Sequence, residues 1–161
     1  MFKRLNQNLI DTVAQQASSS DRLRQSYNFH TLEEKVQRSL ICLQPGTYVR
    51  PHRHKRAIGN NGFELCLILQ GAVGMLLFND QGAIIHQEQI SADGATSGIE
   101  LREGTYHTLI ALLPNTVIFE VKEGPYDSTT DKEFLSFFPL EGTIAAEKLV
   151  QTWHSYFVSP I

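Results

Sequence analysis

Cysteine and surplus positive charge are both scarce in this sequence. Only two cysteines occur, Cys42 and Cys66, each inside an apolar run. That count is too small for a disulfide framework, and free buried thiols are the expected state. Lys and Arg number 14 against 17 Asp and Glu, a net charge of −3. Such a balance supplies no general positive field for nucleic acid, and no series of stacking aromatics accompanies the local basic cluster Arg50, Arg53, Lys55 and Arg56. Long apolar runs are also lacking. The most apolar stretch, residues 65–78, is interrupted by Gln70, Gly71 and Gly74, and a bilayer span takes about 20 apolar residues. The first eight residues, MFKRLNQN, contain no apolar signal-peptide core. A cytoplasmic protein with no membrane partner is expected.

The 161 residues, 42% of them hydrophobic and 19% charged, fit one globular domain over 1–161. Its plan is a helical N-terminal segment (1–30), a β-barrel (31–140) and a C-terminal helix (141–158). Leu5, Leu9, Val13 and Ala17 recur at helical spacing, and Ser18 to Asp21 offer caps for a short second turn at Arg22 to Arg24. From Val36 the pattern changes to short runs at 36–43, 47–54, 63–69, 73–79, 83–89, 99–102, 107–112 and 117–122, separated by Gly, Pro, Asn and Asp. Short strands at near-regular spacing indicate a sandwich or barrel. After Gly142, the residues Ala146, Leu149, Val150, Trp153 and Phe157 return to helical spacing.

The chemistry concentrates in PGTYVRPHRH, residues 45–54. Alternate residues of a strand share a face, so His52 and His54 point together, and Arg50 with them. Glu64 opens the apolar strand that follows, where a buried carboxylate needs a partner such as a cation. His107 begins a later strand after Gly104. Three imidazoles and one carboxylate suit a single divalent ion, Zn, Fe, Mn or Ni, without selecting among them.

These residues resemble the first cupin motif, in which Gly and five residues lead to His-x-His, then Glu, six residues and Gly. Gly46, His52, His54, Glu64 and Gly71 follow it in order. The interval from His54 to Glu64 is longer than in that motif, which implies an inserted loop, residues 55–62, over the barrel mouth. The second motif is matched at Gly104 and His107, while Arg102, Thr96 and Ala111 replace its Pro, first Gly and Asn. The chain is similar more narrowly to the WbuC-type cupin-fold metalloproteins, through residues 27–30, 36–38, 45–54, 64–65 and 119–126. The resemblance implies an all-β cupin double-stranded β-helix, a jelly-roll-like barrel with helices at both ends. It also implies a metal held by His52, His54, Glu64 and His107, a homodimer, and a link to bacterial surface-polysaccharide (O-antigen) metabolism.

Within that frame Arg50 either holds an anionic group of a small-molecule ligand or pairs with a structural carboxylate. Cys66 shares the face of Glu64 and is a packed residue or a ligand contact. Glu120 lies in the apolar run 117–121 and either acts as a general base in the cavity or faces solvent. Tyr126 follows Gly124-Pro125 and packs at a barrel end, and the family pattern makes it a pocket residue. Asn28 and His30 close the mouth or cap a turn, and His86 and His154 read as surface or packing residues. The function expected is metal-assisted isomerisation or epimerisation of a small polar, anionic or sugar-like molecule. Its rivals are a non-catalytic metal-dependent binding protein, a metal-dependent dioxygenase and a barrel with a purely structural metal.

Overall fold

A computed structural model describes residues 2–56 and 62–158. Helix α1 (Gln7–Ser18) starts where the Asn6 side chain accepts the Leu9 N–H at 3.1 Å. The expected second helical turn does not form. Residues Arg24–Asn28 are instead strand β1, paired antiparallel with β2 (Val36–Leu43). The ladder along the free edge of β2 overrides the weak local turn signal of this polar segment. The strands that follow are β3 (His52–Arg53), β4 (Phe63–Gln70), β5 (Ala72–Phe78), β6 (Ile84–Ser91), β7 (Gly98–Arg102), β8 (Tyr106–Ala111), β9 (Thr116–Glu123) and β10 (Glu133–Phe134). Helix α2 (Ile144–Ser155) is capped by Thr143, whose hydroxyl accepts the Ala146 N–H at 3.3 Å.

The strand expected over 47–54 shortens to two residues. Pro51 has no N–H for a ladder, and the carbonyls of Val49 and Pro51 are taken by the Thr108 hydroxyl and the Leu135 N–H. The inserted segment expected to overhang the mouth lies mostly in 57–61, outside the described residues.

The strands form two five-stranded sheets, β1-β2-β9-β4-β7 and β10-β3-β8-β5-β6. They are two facing layers rather than one closed barrel, within the all-β architecture with flanking helices that the sequence implied. Helix α1 covers the outer face of the first sheet, where Ile10, Val13, Ala14 and Ala17 meet Leu40, Cys42 and Val117. Helix α2 covers the second, where Ala146, Val150 and Trp153 meet Tyr48, Leu76, Phe78 and Ile110. Both cysteines are free.

The interior between the sheets changes character along each strand. At one end Ile68 and Ile118 are cross-strand partners and join Leu43, Val73, Met75 and Ala111 in an apolar core. Toward the other end of the same ladder, Cys66 faces Glu120, and Glu64 faces Lys122. The motif glycine Gly71 turns the chain from β4 into β5 at φ +76°, and a Cβ there would stand 2.5 Å from Thr116 Oγ1. The polar ends of β4 and β9 therefore face the β3–β8 pair at a fixed register.

Candidate functional site

Two short strands and one long one bring the predicted residues together. His52 and His107 are direct partners across β3 and β8, with ring centroids 4.5 Å apart. His54 follows β3, its ring 5.0 Å from that of His52. A nitrogen from each of the three rings lies within 4.8 Å of the others. From β4, Glu64 reaches the same point, its Oε2 3.1 Å from His107 Nε2 and 3.3 Å from His54 Nε2. All four side chains are buried.

Hydrogen bonding fixes which imidazole nitrogen faces inward. Nδ1 of His52 lies 2.9 Å from the Arg50 carbonyl, that of His107 3.0 Å from the Thr105 carbonyl, and that of His54 2.5 Å from the Asp131 carbonyl. A carbonyl only accepts, so each Nδ1 carries the hydrogen and each Nε2 is the free coordinating atom. Among the described residues, His54 Nε2 and Glu64 Oε2 are buried without a hydrogen-bond partner.

Burial pushes His52 well below the ordinary imidazole range and takes His54 down to about 4, against the pull of Glu64. Burial works to raise Glu64, but His107 and His54 outweigh it and hold the carboxyl well below its usual range. Burial likewise opposes charge on His107, and the Glu64 carboxylate overrides it and raises that ring. The His52 and His54 rings, which burial keeps neutral, the His107 ring and the ionised Glu64 carboxylate thus lie together, a donor set suited to a divalent metal once His107 gives up its proton.

Behind Glu64, Cys66 and Glu120 complete a second group whose ligating atoms lie within 4.8 Å of one another. Cys66 is fully buried, and burial, with Glu64 and Glu120, raises its thiol well above the usual range. It lies near both carboxylates and is not on the wall of the adjacent cavity. Glu120 faces the interior, not solvent, and burial together with Glu64 pushes its carboxyl up to about 7.

A cavity of about 680 Å³ opens beside this group, with Asn28, His30, Ser39, Arg50, Glu120 and Tyr126 on its walls. Arg50 has no carboxylate partner among the described residues. Its Nη2 donates to the Ser136 carbonyl at 2.6 Å, its guanidinium lies 5.4 Å from the Phe134 ring centre, and its Nε is buried without a partner. His30 lies away from the imidazole cluster, its Nδ1 accepting the Arg38 N–H at 2.7 Å. His86 is exposed and also stands apart.

Sequence reasoning missed Lys122 and Asp131, a buried ion pair at 2.8 Å that also lines the cavity. The alternation Ile118, Glu120, Lys122 on β9 carried a signal for the lysine, since all three share the inward face. Asp131 follows no periodic element, and nothing local marks it.

No curated protein matches the sequence. The fold is similar to that of CapF, a capsular polysaccharide assembling protein from Staphylococcus aureus (TM-score 0.55, 19% identity, covering 71% of this chain and 32% of that one). It is also similar to oxalate decarboxylase from Bacillus subtilis (0.52, 15%, 70% and 28%) and to KdgF from Halomonas sp. (0.50, 18%, 66% and 83%). The chain thus spans about a third or less of CapF and of oxalate decarboxylase, and most of KdgF. These likenesses are of fold, and the fold is that of the cupins. The sequence model of the family described as Domain of unknown function (DUF6016) matches residues 5–90, and the chain belongs to that family.

Proposed function

We propose that this protein binds one divalent metal ion through His52, His54, Glu64 and His107 and presents it to a small polar, anionic or sugar-like molecule in the adjoining cavity. The observation that carries the reading is the approach of the His54 and His107 Nε2 atoms to the buried Glu64 Oε2, at 3.3 and 3.1 Å, with a ring nitrogen of His52 within 4.8 Å of those of the other two histidines. Oxalate decarboxylase, one of the fold neighbours, has Mn(II) centres, in keeping with an ion in this fold. A metal held there supplies Lewis acidity toward a carbonyl or hydroxyl oxygen.

The chain's own residues supply binding and proton transfer. Arg50, without a carboxylate partner among the described residues, holds the anionic group at the cavity wall. Glu120, near Glu64 and on the cavity wall, takes and returns a proton, and its raised carboxyl suits that work near neutral pH. Tyr126 contributes a rim contact to the ligand, and Cys66 fixes the spacing of the two carboxylates beneath it. A proton removed from a carbon and returned to its opposite face is epimerisation, and one returned to the neighbouring carbon is isomerisation. Surface-polysaccharide precursors are the substrates favoured, on the WbuC-type resemblance and the fold shared with CapF.

The test is metal analysis of untagged protein, wild type beside His52→Ala/His54→Ala. About one metal per chain in the wild type and little in the variant is expected. No metal in either after reconstitution with Zn(II), Mn(II), Fe(II) or Ni(II) overturns the reading.

A further inference from the structure

We propose that Asp131 is a positioning residue for the metal centre, and that its ion pair with Lys122 latches the segment after β9 onto His54 and so sets that ring's tautomer and direction. His52 and His107 each donate Nδ1–H to the carbonyl two residues earlier in the chain, Arg50 and Thr105, just before β3 and β8. Their orientation is local and comes with the strand. His54 differs, because its acceptor is the Asp131 carbonyl, 77 residues further along the chain. Nothing in the chain next to His54 provides for this bond. It exists only while the segment between β9 and β10 is held down at Asp131.

Several buried contacts hold Asp131 in place. The Asp131 carboxylate accepts from Lys122 Nζ at 2.8 Å and from Arg56 Nη2 at 3.4 Å, with Asp131 and Lys122 only 3% and 7% exposed. Arg56 in turn donates to the Glu123 carbonyl through Nε at 3.1 Å and Nη2 at 2.5 Å. The Asp131 N–H donates to the Asp127 carbonyl at 2.8 Å, which shapes the turn that presents the carboxylate. Lys122 is the cross-strand partner of Glu64, so the latch is anchored to the strand pair that supplies the carboxylate ligand. A buried charge pair is specific in geometry because either charge alone is costly. Partners outside the ligand set that orient a ligating imidazole typically change metal affinity about 10- to 100-fold when lost.

The inference rests on the proposed metal site for one of its two readouts and stands without it for the other. The full chain is compared as wild type, Asp131→Asn and the double variant Asp131→Leu/Lys122→Leu, which leaves neither of the two charges without its partner. In metal-free protein, ¹⁵N correlation spectra of the imidazole rings report each histidine's tautomer. His54 is expected to lose its fixed Nδ1–H form in both variants while His52 and His107 keep theirs. Zn(II) affinity, measured by competition with a chromogenic chelator, is expected to weaken about 10- to 100-fold. His54 unchanged in both variants overturns the latch, as does simultaneous change at all three rings in a folded double variant. If Asp131→Asn fails to fold, the double variant decides alone. If the wild type binds no Zn(II), the metal reading fails while the tautomer of His54 still decides this one.

Discussion

Glu64 Oε2 stands 3.1 Å from His107 Nε2, with both side chains buried. In the metal-free chain the two groups depend on one another, since Glu64 raises the imidazole and the imidazole holds the carboxyl down. Removing one partner of a buried charge pair leaves the other unpaired, which typically costs about 3–5 kcal/mol. His107→Ala is therefore expected to destabilise the metal-free protein by about that amount, and Glu64→Gln added to it to recover part of the loss. Urea unfolding of the four proteins in the cycle measures this. Additive losses would show that the two side chains are not coupled.

Glu120 separates catalysis from simple binding. Its carboxyl lies near Glu64 and on the cavity wall, and Gln keeps the shape while removing the titratable group. If the protein is an enzyme, Glu120→Gln lowers turnover about 10²- to 10⁴-fold and leaves ligand affinity within a few-fold. Arg50→Gln behaves in the opposite way, weakening an anionic ligand by about 1.5–3 kcal/mol. Calorimetry and turnover with a sugar acid that binds the wild type check both. Loss of affinity alone in Glu120→Gln favours a binding protein.

Much of this was legible before the structure because period-two alternation and motif spacing are both local. Residues 36–43 appear as written, and His54 and Glu64 of the first motif meet across the two sheets at 3.3 Å. The two failures share a cause. Residues 22–24 read as a short turn within a helical segment (1–30), yet Arg24–Asn28 become a strand because β2 offers an unpaired edge. Residues 47–51 alternate like a strand but satisfy their carbonyls elsewhere, around a proline that cannot donate. Asp131 lay beyond reach for a further reason, since its importance is a contact with a ring 77 residues away.

Glu133 gives a pH dependence with a definite sign. Its carboxylate accepts from Arg53 Nη2 at 2.5 Å and from the Tyr106 hydroxyl at 3.1 Å, with Lys55 Nζ at 3.4 Å. Mainly through Arg53, these hold the carboxyl down to about 2 from an ordinary 4.5. A depressed folded value stabilises above the unfolded one and is lost as pH falls through the folded one. Because the side chain is 48% exposed, solvent screening limits the effect to under about 1 kcal/mol. Glu133→Gln is expected to be less stable than wild type at pH 7, with the gap closing between pH 4.5 and about 2. Urea midpoints at pH 7 and pH 3 test it, and a gap that widens in acid refutes it.

Gly74 on β5 is a steric rather than a conformational requirement. It stands opposite Ile110 on the face that α2 covers, and an added Cβ would fall 2.3 Å from Phe157 Cε2. A ring edge cannot yield that distance in place, so Gly74→Ala must lift the residues after α2 or bend β5, at about 1–3 kcal/mol. The same displacement disturbs Trp153, which stacks on Tyr48 at 6.1 Å and meets Phe78 at 5.9 Å. Gly74→Ala is therefore expected to change the near-ultraviolet signal of Trp153 as well as lower stability. Phe157→Ala removes the clash, so the double variant should lose less than the sum of the two single changes. Strict additivity would mean that Phe157 does not rest on Gly74 in solution, and that α2 holds to the sheet through Ala146, Val150 and Trp153 alone.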